Sequence, residues 1–240
     1  MAIIAISRQV ASLGDEISKA ISERTGYKFV TRHDLEKRIV DYGFPAEKLK
    51  KYDEKKPGFF ASLVKYRDEY LNYLQTAVLD AASEGDCILI GRGSCLILES
   101  LPNLISLRFV ANDEIRMKRL MKEFDWNEKQ ALQRITESDN NRRGFHKSFF
   151  NAEIDDPSHF LMVLNTGILD ENMAASAIAQ IKDSVITPEK EEAGKARLDE
   201  LIKCLEGVEF DAIAGIESRG FIFGAPMAYA MNKPFVPIRK

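Results

Sequence analysis

The chain opens on an apolar run, Ala2-Ile3-Ile4-Ala5-Ile6, which breaks at a polar turn and re-enters a helical spacing at Ile17 and Ile21. Strand, loop and helix in that order form the layout in which a phosphate rests on backbone N–H groups at a helix N-terminus. Gly26 ends that helix, residues 27–30 are short and extended, and 31–39 resume a helical pattern. A lysine-rich stretch around Pro45 and Pro57 reads as an exposed connector about a short helix. The apolar spacing over 59–82 predicts a long helix, its aromatics read as core rather than as a base-stacking platform. Cys87-Ile88-Leu89-Ile90 is apolar without alternation, the mark of a parallel strand buried on both faces.

Residues 104–111 predict the next strand, with Asn112 or Asp113 capping a helix that runs to Phe124. Asn127 and Gln130 form a capping box for a helix from Glu128 past Asp139. A strand at 160–164 and a helix from Asp170 to about Lys182 complete the alternation. The whole predicts an open α/β fold with a parallel sheet. Ligands then belong outside the carboxyl ends of the strands, near Arg8, Arg92 and Asn165-Thr166. The pattern changes at 184–190, and a helix (193–205), a strand (211–215), a glycine-rich turn, a helix and a last strand (Phe235–Ile238) follow. The expected division is 1–184 and 185–240.

Composition changes this picture little. With 45% hydrophobic and 30% charged residues and a net charge of −3 over 240 residues, the chain reads as soluble, with no general affinity for nucleic acid. No apolar run reaches the roughly 20 residues that span a bilayer, so no membrane partner is expected, and no signal peptide is evident. Cys87, Cys95 and Cys204 lack metal-ligand spacing and read as buried thiols of a cytoplasmic protein. His33, His146 and His159 are scattered, and no metal site is assembled from them.

Laid on Gly-x-x-x-x-Gly-Lys-Ser/Thr, the first loop puts Arg8 and Leu13 at the glycines. Gly14 falls at the lysine and Asp15 at the hydroxyl that would hold Mg²⁺. The position suits a phosphate loop and the chemistry is altered. A second charged run, 137–147, is either a solvated helix end or a mobile lid whose Arg142, Arg143 and Lys147 clamp a transferring phosphoryl group. Arg116 and Arg119, three apart, are read first as a surface stripe.

Several motifs together resemble the cytidylate kinase-like family. They are Ile-Ala-Ile-Ser-Arg-Gln with Ser12 and Gly14-x-Glu-Ile, the Ile90-Gly91-Arg92-Gly93 turn, Ala131-x-x-Arg-Ile, Asp139-x-x-Arg142-Arg143, and Leu-Asn165-Thr166. The resemblance implies a three-layer P-loop kinase-like parallel sheet with helices on both faces. It also implies ATP with Mg²⁺ and phosphorylation of a nucleoside monophosphate, CMP by analogy. By that analogy Arg8, Gln9, Ser12 and Gly14 hold the donor, Arg92, Arg142 and Arg143 act in catalysis, and Asp139 and Lys147 meet the substrate. Ala11 and Leu13 stand where the family has glycines and Asp15 where it commonly has a basic residue, so a non-catalytic nucleotide- or phosphate-sensing module remains the alternative.

A second resemblance, to adenine phosphoribosyltransferase, covers about 186–240. It rests on the run from Asp211 through Glu217-Ser218-Arg219-Gly220 to Pro226, and on Lys233 to Arg239-Lys240. It implies a partial βαβ unit in which Glu217, Ser218, Arg219 and Gly220 meet the pyrophosphate of phosphoribosyl pyrophosphate and Arg239 and Lys240 add cationic contacts. The family's acidic ribose-phosphate loop does not occur here, and a truncated fusion is expected. Partners are then nucleotide or nucleobase small molecules, with a homo-oligomer left open.

Overall fold

The computed structural model describes residues 1–49, 64–203, 213–216 and 235–238, the backbone alone for 64–69 and from 197 onward. A five-stranded, all-parallel sheet forms the centre, in the order β2 (Lys28–Val30), β3 (Cys87–Ile90), β1 (Ile3–Arg8), β4 (Leu104–Val110), β5 (Met162–Asn165). β1 is central because both its faces are apolar: Ile3 sits opposite Cys87 on one side and Leu104 on the other, and Ile3 to Ile6 are all buried.

Alternation along β1 divides the core. Ile4 and Ile6 pack with Ile17 and Ile21 of α1 (Gly14–Thr25) and with Ala174, Ala175 and Ile178 of α8 (Glu171–Val185). Ile3, on the opposite face, joins a cluster from four helices, α2 (Arg32–Asp41), α4 (Val64–Ser83), α5 (Ser94–Ile97) and α7 (Glu128–Phe150). Tyr70 lies in that cluster with no measurable exposure, as the core reading of these aromatics required. The connector carries the expected short helix, α3 (Ala46–Leu49). Helices therefore cover both faces, as expected of the three-layer arrangement.

Caps fix the helix starts. Thr31 and Asp34 form a capping box on α2, Asn112 caps α6 (Asp113–Phe124), Asn127 and Gln130 form the expected box on α7, and Asp170 caps α8. The charged run 137–147 lies wholly inside the 23-residue α7, neither at its end nor in a separate lid. Phe145 and Phe149, buried on its inner face, carry the helix through.

α9 (Pro188–Lys203) begins five residues before the expected start, with Pro at its first position and Thr187 before it. Its first turns meet the body of the protein: Glu191 pairs with the N-terminal ammonium at 2.6 Å, and a Cβ on Gly194 would lie 2.5 Å from the Asn103 side chain. Strands β6 (Ile213–Ile216) and β7 (Phe235–Ile238) pair in parallel as a separate two-stranded sheet.

Candidate functional site

The loop between β1 and α1 keeps the shape of a phosphate loop at the positions where glycine is missing. Ala11 and Leu13 both sit in the left-handed region, at φ of 57° and 58°. A side chain there costs about 1–2 kcal/mol per residue, and tertiary contacts hold both in place. Leu13 packs on the α1–α8 core, and Ala11 on a small cluster with Leu120, Ala131 and Ile135. Ser12, buried, donates its hydroxyl to the Gln9 carbonyl at 2.9 Å. The Gln9 side-chain oxygen accepts from the Ala111 N–H at 3.0 Å, tying the loop to the end of β4. Ser12 and Gln9, expected to meet a donor nucleotide, thus use these side-chain groups to brace the loop.

α1 starts at Gly14 without a side-chain cap, and Asp15 and Glu16 stand exposed in its first turn. The stem of Arg8 lies across Gly14, where a Cβ would come within 2.7 Å of the Arg8 Cγ. Its guanidinium reaches Gly91, where a Cβ would lie 2.4 Å from an Arg8 nitrogen. Among the described residues the Arg8 guanidinium forms no ion pair or hydrogen bond. Two glycines from different strand ends thus make the slot for one arginine.

The turn after β3 runs through three consecutive left-handed residues, Gly91, Arg92 and Gly93, with φ of 77°, 54° and 72°. Arg92 is 4% exposed, donates to Glu36 at 2.7 Å and lies 6.0 Å from the centroid of the Phe145 ring. Arg142, one helical turn from Ser138 and bonded to it at 2.5 Å, projects from α7 beside both Arg8 and Arg92. Arg8, Gly14, Asp15, Glu16, Arg134 and Arg142 line a cleft of about 390 Å³, closed on one side by Leu120, Phe124 and Trp126.

The other expected groups lie elsewhere. Arg143 is exposed and donates to Asp155 at 2.9 Å, and Lys147 pairs with Glu153 at 2.8 Å; neither lines the cleft. Asp139 is engaged by Arg116, which holds both its oxygens at 3.2 and 2.8 Å and also bonds Asp113. The expected surface stripe is corrected here: Arg116 is 2% exposed, because two carboxylates from α6 and α7 pay its desolvation. Burial alone would lower its pKa, and these bonds outweigh it and leave the guanidinium's pKa raised. Arg119 turns to the loop, donating to the Ala11 carbonyl at 2.9 Å and the Thr166 carbonyl at 2.6 Å. Glu217, Ser218, Arg219, Gly220, Arg239 and Lys240 lie outside the described residues.

Three arginines take roles beyond their sequence reading: Arg119 reads there as a surface stripe, Arg134 only as part of the Ala131-x-x-Arg-Ile motif, and Arg108 is not singled out. Arg119 straps the loop. Arg108, buried on β4, bonds Ser7 at 2.9 Å and Asp155 at 2.5 Å. Burial lowers its pKa against the pull of Asp155. Asp155 feels the converse: burial raises it, while Arg143 and Arg108 together outweigh burial and hold the carboxyl below its ordinary value. Arg134, one turn before Ser138, reaches the cleft mouth from α7. An arginine in a strand whose other residues, Ser106 apart, are apolar was the one signal that could have singled out Arg108.

A model of the cytidylate kinase-like family matches residues 3–168, from the first residue of β1 to just past β5. The chain belongs to the cytidylate kinase-like family. An uncharacterized protein from Eubacterium ventriosum superposes with a TM-score of 0.63 at 22% identity, covering 76% of this chain and 98% of that one, a likeness of fold. The curated relatives match only a short segment. Adenine phosphoribosyltransferase from Agathobacter rectalis is 63% identical over 46 residues, 19% of this chain and 26% of that enzyme. The enzyme of the same name from Butyrivibrio fibrisolvens is 63% identical over 49 residues, 20% and 27%. This chain thus spans about a quarter of the length of these curated relatives.

Proposed function

We propose that this family member binds the phosphates of a nucleoside triphosphate, ATP by resemblance, at the α1 N-terminus and phosphorylates a nucleoside monophosphate, CMP by resemblance. The observation that carries the reading is the Arg8 guanidinium, unpaired among the described residues and aimed between Gly14 and Gly91 beside an uncapped helix start. It supplies, from the strand before the loop, a cation for the missing lysine, while first-turn N–H groups of α1 supply neutral donors. Arg142 and Arg92 flank it, and catalysis of phosphoryl transfer is largely positioning and charge stabilisation of this sort. Arg92, already bonded to Glu36, is the better candidate for orienting the acceptor.

Mg²⁺ fits the donor set without a dedicated cage. Among the described residues no three His, Cys, Asp or Glu side chains converge as a metal site. Asp15 and Glu16 stand exposed at the start of α1, and Mg²⁺ on nucleotides commonly takes one or two carboxylates and completes its shell with phosphate and water. Bound there, it would neutralise charge on the phosphates.

The same two carboxylates favour a second reading, in which the cleft senses a nucleotide without turning it over. Titration calorimetry with ATP and Mg²⁺, followed by ADP release with CMP present, separates the two. Micromolar binding weakened at least tenfold by Arg8→Ala supports the phosphate site, and ADP release that needs CMP supports the kinase. Binding without ADP release supports the sensor, and absence of heat at millimolar ATP overturns both. For 186–240 we infer phosphoribosyl pyrophosphate recognition by Glu217, Ser218, Arg219, Gly220, Arg239 and Lys240, on the strength of the short match to the transferases. Calorimetry with phosphoribosyl pyrophosphate on the Arg219→Ala variant tests it, and unchanged binding would count against it.

A further inference from the structure

Phe124 and Trp126 form a feature that the phosphate contacts described above leave unused. Their rings stack with centroids 4.7 Å apart and planes 26° from parallel. Phe124 is 49% exposed, unusual for a ring that has a neighbouring core to join. The pair lines the same cleft as Arg8 and Gly14.

Its position is fixed at three points. Asp125 between the rings closes α6 in the left-handed conformation, and the Asn127 capping box opens α7 directly after Trp126. Trp126 also packs against the buried cluster of Leu120, Ala131 and Ile135, on which Val10 and Ala11 of the phosphate loop pack as well. A flat apolar surface is thereby held in rigid register with the candidate phosphate site, on the wall of one cleft. Other exposed apolar side chains, such as Ile168 and Met173, do not line this cleft and have no comparable partner there.

We propose that the stacked Phe124–Trp126 pair is the platform for the nucleobase of the nucleotide whose phosphates meet Arg8 and the α1 N-terminus. The proposal rests on the nucleotide reading above and adds to it the part of the site that grips the base. Aromatic stacking accepts any base, since each presents a π-face. Selection at this wall is therefore for a nucleoside triphosphate over inorganic polyphosphate, with ATP and GTP held to similar degrees. Arg134, at the same mouth, adds a cation beside the ribose-phosphate path.

Trp126 is the chain's single tryptophan, so its emission reports on this site alone. The full chain and its Phe124→Ala and Phe124→Leu variants are titrated with ATP and, separately, with inorganic tripolyphosphate, both in the presence of Mg²⁺. Saturable change of Trp126 emission by ATP is expected. Phe124→Ala should weaken ATP about tenfold, within the range that removal of a base-stacking aromatic gives. Phe124→Leu, apolar but without a π-face, should weaken it nearly as much. Tripolyphosphate affinity should stay within about twofold in both variants. Wild-type ATP affinity in both variants, with tripolyphosphate still bound, would overturn the platform while leaving the phosphate site standing. Failure of the wild-type chain to bind either ligand would overturn the phosphate site, and the platform with it.

Discussion

Replacing Asp139 separates a structural from a substrate-binding role. By resemblance Asp139 faces substrate; in the fold it holds Arg116 through both oxygens and joins α7 to α6. Its side chain is 13% exposed and that of Arg116 2%, so Asp139→Ala strands a buried guanidinium with Asp113 as its remaining carboxylate. Breaking a buried pair by removing one partner costs about 3–5 kcal/mol, and the surviving Asp113 bond argues for the lower end, about 3 kcal/mol. Asp113 itself is 61% exposed, so Asp113→Ala should cost at most about 1 kcal/mol. At roughly 2–4 °C per kcal/mol for a protein of this size, Tm should fall by about 6–12 °C for Asp139→Ala and by no more than about 4 °C for Asp113→Ala. Thermal and urea unfolding followed through Trp126, which lies between the two helices that Asp139 and Arg116 join, reads both variants. Equal losses in the two variants would refute the burial argument. An Asp139→Ala protein of wild-type stability that no longer binds nucleotide would return Asp139 to the substrate.

Three further outcomes follow from single contacts. Because Asp155 titrates below its ordinary value, its contribution is fully present above about pH 3.9 and is lost as the pH falls through its lowered folded value. The stability gap between wild type and Asp155→Asn, measured by urea unfolding, should therefore be widest near neutrality and shrink as the pH falls below about 3.9; a gap independent of pH refutes it. Gly93→Ala should lose at least about 2 kcal/mol in the same assay, from the left-handed penalty plus a Cβ 2.3 Å from the Phe150 ring, and a neutral result would contradict this turn geometry. Burial pushes the Cys87 and Cys95 thiols up to about 12, so in a Cys204→Ser variant no thiol should react rapidly with a disulfide reagent at pH 8 until guanidinium is added.

Period and punctuation carried most of the fold in the sequence. The unbroken apolar run 87–90 could be satisfied only by a strand covered on both faces, and Asn127 with Gln130 marked a helix start to the residue. The helix boundaries that went astray were decided by tertiary contacts. α7 runs on to Phe150 because Phe145 and Phe149 have a core to enter, and α9 starts early, where Thr187 and Pro188 open it and Glu191 pairs with the chain's own ammonium group. The site was legible at its backbone positions, the ends of β1 and β3, and much less so in its side chains. Which arginine faces the cleft depends on helix phase and on carboxylates distant in sequence: Arg142 reaches it, while Asp155 engages Arg143 and Asp139 engages Arg116.

The altered loop points to how a phosphate-binding shape outlasts its glycines. A loop of glycines reaches left-handed dihedrals at no steric cost, and in this chain two residues with side chains occupy them. The strain must be offset by contacts that exist only in that conformation. Arg119 bonds the carbonyl of Ala11 itself, and the Leu13 side chain enters the α1–α8 core. Ser12 closes back on Gln9, and Gln9 reaches Ala111. Flexibility has been exchanged for bracing. A loop held this way cannot easily mould itself to its ligand, so its affinity must come from groups already in place: the Arg8 guanidinium, the first-turn N–H groups of α1 and the flanking Arg142. The carboxylates of Asp15 and Glu16 beside them make bare polyphosphate a poor fit unless a divalent cation accompanies it. Phosphate binding at this cleft should therefore depend on Mg²⁺ more steeply than charge screening alone explains, and an affinity unchanged by Mg²⁺ removal would show that these carboxylates stand clear of the ligand.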